Sequence, residues 1–95
     1  MTLEEFTASL ADTTPPATLS AALRALWQDA RGNWDAAHRI AQDIEDADGA
    51  WVHGYLHRKE GDSGNAAYWY RRAGQHPASG SLQAEWTRIV RALLP

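Results

Sequence analysis

The chain has no cysteine, and that removes disulfides, thiolate metal ligands and thiol nucleophiles together. Several other signatures are missing. No apolar run approaches the roughly 20 residues that a membrane-spanning helix needs, and Met1-Thr2-Leu3-Glu4-Glu5-Phe6 has no basic segment leading into an apolar one. A cytoplasmic protein without signal peptide or membrane partner is the expectation. No Gly-x-Ser-x-Gly elbow, no Walker lysine pattern and no His-Glu-x-x-His zinc motif occurs, so no catalytic residue is assigned and the sequence leans away from an enzyme. No segment alternates apolar and polar residues as a half-buried strand would, which leaves an all-α chain.

What is present is tryptophan, five in 95 residues. Each buries roughly 150–250 Å², a large contribution to the single modest core that a chain of this size can form. Charge is unevenly spread. The formal net charge is −3, but residues 1–50 carry nine acids against three arginines, and residues 51–95 carry three acids against six bases. The halves are therefore about −6 and +3. Nothing is basic enough to predict a nucleic-acid partner, whereas opposite halves suit self-association.

Leu3, Phe6 and Leu10 recur at helical spacing and define a short capping segment over 1–15, closed by Thr13-Thr14-Pro15-Pro16. Leu19, Ala22, Leu23, Leu26, Trp27 and Ala30 trace a continuous stripe, stopped by Gly32-Asn33. Trp34, Ala37, Ala41 and Ile44 trace the next helix, so residues 17–46 form a first hairpin. A second spans 49–74, with Asp48 as the expected cap of its first helix and Ser63 and Asn65 as the expected caps of its second. Gly74 should end that second helix, and Ser81 should cap a C-terminal helix over 81–94 whose stripe is Leu82, Trp86, Ile89, Val90 and Leu93. Short connections predict two antiparallel hairpins with flanking helices, all in one domain, 1–95.

Ala36-Ala37 and Ala66-Ala67 recur about thirty residues apart, each after a glycine-containing turn. Residues 50–77 resemble a tetratricopeptide or Sel1-like repeat. Gly54 and Ala66 stand at its small positions, Tyr70 at the aromatic one, Ala73 at the alanine and Pro77 at the terminal proline. Residues 19–49 depart from the pattern at Arg24 and Ile40. The segments 53–62 and 68–74 are also similar to a family of small uncharacterised bacterial proteins. The repeat resemblance implies a module that recognises a protein or peptide, or pairs with itself.

Three groups of residues carry possible chemistry. His53 and His57 are one helical turn apart, with Glu60 on the same face, a set suited to zinc; the plain alternative is a polar helix face. His38 lies beside Trp34, Ala37 and Ala41 on a largely apolar face, and with Asp35, His53 and His57 it defines a candidate ligand pocket. A satisfied histidine at the core edge is its plain alternative. Tyr68, Arg71 and Arg72 form an exposed aromatic and basic strip, a candidate interaction face for acidic partners. The leading functional expectation is the interaction module. The competing one is a histidine-centred protein binding a metal or small molecule, extending to an enzyme.

Overall fold

Side-chain oxygens placed ahead of the apolar stripes start most of the helices. Thr2 accepts from the Glu5 N–H while Glu5 reaches back to the Thr2 N–H, a full capping box. Ser20, Asp46, Asp62 and Ser81 accept from Leu23, Gly49, Asn65 and Ala84 in the same way. The computed structural model describes all 95 residues and contains six helices with no strand. They are α1 (Leu3–Ser9), α2 (Ala21–Ala30), α3 (Trp34–Gln42), α4 (Ala47–Glu60), α5 (Ser63–Ala73) and α6 (Leu82–Leu93).

Two of the expected caps are displaced. Asp46, in extended backbone, caps α4 instead of Asp48, which falls inside the first turn where its charge complements the helix dipole. Asp62 caps α5, so Ser63 is its first helical residue and Asn65 donates to the cap. Ser81 and Gly74 act as the sequence implies, Gly74 ending α5 in left-handed backbone at φ 73°.

Helix α4 is the centre of the molecule, packed against α2, α3, α5 and α6. Every residue from Val52 to His57 is buried, so the face carrying His53 and His57 is interior and not a solvated polar face. A helix with partners on several sides has no outward stripe to mark its orientation. Gly54 is where α5 comes closest. A methyl group there would stand 3.2 Å from both the ring and the backbone nitrogen of Tyr70.

The tryptophans differ in depth. Trp27 and Trp86 are buried in the core with Phe6, Leu26, Leu56 and Ile89, whereas Trp34, Trp51 and Trp69 are half-buried. Indole N–H groups inside the fold need acceptors. Trp86 donates to the Leu26 carbonyl and Trp34 to that of Leu56, tying α6 to α2 and α3 to α4.

Two buried carboxylates complete the interior. Glu85 is wholly enclosed; Arg58 donates to its Oε1 at 2.8 Å and the Tyr70 hydroxyl to its Oε2 at 2.6 Å, with Arg58 also held by the Gly80 carbonyl. Burial, then the bond to Glu85, pushes the Tyr70 phenol far above its ordinary range. Asp29, also buried, accepts from the Tyr55 hydroxyl at 3.2 Å and from Lys59 Nζ at 3.0 Å.

Candidate metal centre

Helix α4 presents His53 and His57 on successive turns, and α3 crosses it so that His38 meets both. The three rings form a closed set. His53 and His57 stack with centroids 4.8 Å apart, and His38 meets them edge-on at 4.7 and 5.1 Å. One ring nitrogen from each lies within 4.8 Å of the other two. His38 Nε2 and His53 Nε2 lie within hydrogen-bond distance, 3.1 Å apart.

Indoles hold the set from both sides. Trp34, one turn before His38 on α3, stacks on its ring at 5.0 Å, and Trp69 of α5 stacks on His53 at 3.9 Å. His53 and His57 are buried and His38 is half-buried. Burial, followed by the charges that His38 and His57 would carry, lowers the His53 pKa to about 4. Burial and His57 also lower that of His38, against smaller opposing effects from Glu60 and Asp35. Both rings are therefore neutral at pH 7, the state in which imidazole ligates metals.

Glu60 occupies a different place from the one its spacing suggests. Its Oε1 is 2.6 Å from His57 Nδ1, so it backs His57 and the third ring nitrogen of the set comes from His38. With Nδ1–H donated to Glu60, the His57 Nε2 carries the free lone pair. His57, Glu60 and Asp62 also lie near one another, but Glu60 and Asp62 are exposed and Asp62 Oδ1 is occupied as the cap of α5.

His53 is the unsatisfied member. Its buried Nδ1 has no hydrogen-bond partner. An unpaired acceptor costs less than an unpaired buried N–H, so the proton belongs on Nε2, donated to His38 Nε2. Asp35 is exposed and makes no hydrogen bond to the cluster, leaving three histidines of the four expected pocket residues. His76, the remaining histidine, lies exposed in the loop before α6.

The strip Tyr68, Arg71 and Arg72 is exposed as its spacing implies. Arg72 lies over the Tyr68 and Trp69 rings, 5.8 and 5.2 Å from their centroids, and donates to the Tyr68 hydroxyl. Sequence reasoning set Trp34 beside His38, but it singled out neither Trp69 as a partner of the cluster nor the Asp29–Lys59 and Glu85–Arg58 pairs. The one local signal was the four-residue spacing of Trp34 and His38; the ion pairs join residues 30 and 27 positions apart. Compared with protein-family models, curated proteins and solved structures, the chain matches none.

Proposed function

We propose that the protein binds a divalent transition metal, zinc in the first instance, through His38, His53 and His57. The observation that carries this reading is the meeting of three imidazoles from two helices, with a carboxylate behind one of them. Nitrogens bound tetrahedrally to zinc at about 2.0–2.1 Å lie roughly 3.3 Å from one another. The 3.1 Å between His38 Nε2 and His53 Nε2 is already close to that separation, and the His57 ring nitrogen, within 4.8 Å of both, must be drawn in to complete the set. Glu60 fixes the His57 tautomer, as carboxylates commonly do for metal-bound histidines.

The ligands differ in quality. A cation at His53 Nε2 moves that ring's proton to Nδ1, where no acceptor stands, so His53 is a weaker ligand than His57. Titration calorimetry of zinc into the protein and its single alanine variants tests the reading. Binding should weaken in all three, more for His57→Ala than for His53→Ala, and Glu60→Gln should weaken it about 10–100-fold. Zinc binding that is absent, or unchanged in His38→Ala, contradicts it.

A second reading rests on the exposed Tyr68, whose ring and neighbouring indole hold Arg72 in place. In that reading the chain is an interaction module of tetratricopeptide or Sel1-like type, and Tyr68, Arg71 and Arg72 meet an acidic segment of a protein partner or of another copy. The close approach at Gly54 and the burial of Ala66 support it, because both are small positions of such repeats. Sedimentation of the protein and an Arg71→Glu/Arg72→Glu variant tests the homotypic form. Self-association should be present and weakened by the reversal; an unchanged association constant, or a strict monomer, rejects it.

A further inference from the structure

We propose that a metal held by the histidine cluster keeps one coordination position open on the side of His38, and that this position binds a small monovalent anion, hydroxide included. The inference rests on the metal-binding reading above. Zinc in proteins is tetrahedral, and a site with three protein ligands leaves its remaining position to an exchangeable one. No fourth His, Asp or Glu ligand atom joins the three ring nitrogens within 4.8 Å, and the chain has no cysteine. The nearest carboxylate is turned away. Glu60 is bonded to His57 Nδ1, and the two nitrogens of an imidazole point in different directions, so Glu60 stands behind a ring whose Nε2 faces the metal. Asp35 faces solvent. Against His38 and His53 stand the rings of Trp34 and Trp69, and an indole has a donor but no lone pair for a metal. His53 and His57 are buried while His38 is half-buried, so His38 marks the side on which a ligand enters.

Charge and space select the ligand. Three neutral imidazoles leave the charge of a divalent ion whole, and Glu60 offsets one unit of it from behind His57. One positive charge then remains in a largely buried place, where a neutral ligand leaves it uncompensated and a monoanion cancels it. A water bound there loses a proton readily, as at other three-histidine zinc sites, where its pKa is about 7. His38, His53 and His57 line none of the larger clefts of the molecule, which limits the ligand to a few atoms.

The probe is azide, titrated at constant ionic strength into the whole chain loaded with cobalt(II), which accepts zinc geometry and has visible bands sensitive to its ligands. The bands should shift saturably with azide. Its apparent affinity should be level below about pH 7 and fall about tenfold for each pH unit above, because hydroxide competes for the same position. Glu60→Gln should bind azide more tightly while holding the metal more weakly, a pair of opposite changes that a disturbed fold does not give. Calorimetric titration of azide into the zinc-loaded protein, with the metal-free protein as blank, reads the same position without cobalt. Metal taken up but indifferent to azide by both measurements overturns the open position and leaves the three-histidine metal site standing. Azide affinity that does not rise in Glu60→Gln overturns the selection by charge. Failure to take up either metal overturns the metal site and this inference with it.

Discussion

Acid should destabilise the metal-free fold well before its carboxylates protonate, and His53 supplies most of the effect. Its pKa falls from an ordinary 6.5 to about 4 on folding because the ring is buried between Trp69, His38 and His57. A depressed folded pKa means that the unfolded chain binds the proton first. Stability is therefore full above pH 6.5, declines as pH falls through that value, and stops declining near pH 4. Linkage with these two values gives a loss of about 2 kcal/mol between pH 7.5 and 5, and about 3 kcal/mol by pH 4. His38, lowered in the same direction, adds to it. The total is a sizeable share of the roughly 5–15 kcal/mol that holds a small domain together. Urea unfolding followed by tryptophan fluorescence, with chelator present, measures it at pH 7.5, 6 and 5. His53→Phe keeps an aromatic ring against Trp69 and removes the titrating group, so its stability should be flatter over that range. Equal losses in the two proteins would refute the reasoning.

Two further expectations concern packing. Arg58→Met leaves the enclosed Glu85 charge without its cation and should cost about 3–5 kcal/mol, whereas Tyr70→Phe removes one neutral donor and should cost about 1–3 kcal/mol; denaturant unfolding at pH 7 gives the order, and a larger loss for Tyr70→Phe would reverse the assignment. Gly54→Ala puts a methyl 3.2 Å from the Tyr70 ring and backbone nitrogen, so α5 must give by a few tenths of an ångström there, and an unfolding midpoint lowered by the equivalent of about 1–3 kcal/mol is expected. A stabilised variant would mean that the gain in helix propensity outweighs the clash.

The helices were legible because their apolar residues repeat with helical period, and Ser81 and Gly74 mark ends by local chemistry. Caps were less secure where several capping residues compete, as in Asp46-Ala47-Asp48 and Asp62-Ser63-Gly64-Asn65, since the choice depends on backbone angles. The outward strip of α5 was legible for the same reason as its inward stripe. The orientation of α4 was not, because a helix surrounded by α2, α3, α5 and α6 buries faces that carry histidine as well as leucine. His53 and His57 were legible as a pair from one turn of spacing. That His38 completes the set, while Glu60 turns to His57 Nδ1 and Asp35 to solvent, depends on how α3 crosses α4, and no local pattern encodes that crossing. The Asp29–Lys59 pair is long-range for the same reason.

X-ray absorption at the zinc edge tests the central claim most directly, on the protein loaded with one equivalent of zinc and passed through a desalting column. The account predicts retained zinc whose first shell contains three imidazole nitrogens at roughly 2.0–2.1 Å, with the ring carbons visible beyond them. The imidazole count should fall in His38→Ala. Zinc lost on the column, or retained with a shell of oxygens and fewer than two imidazoles, would contradict it.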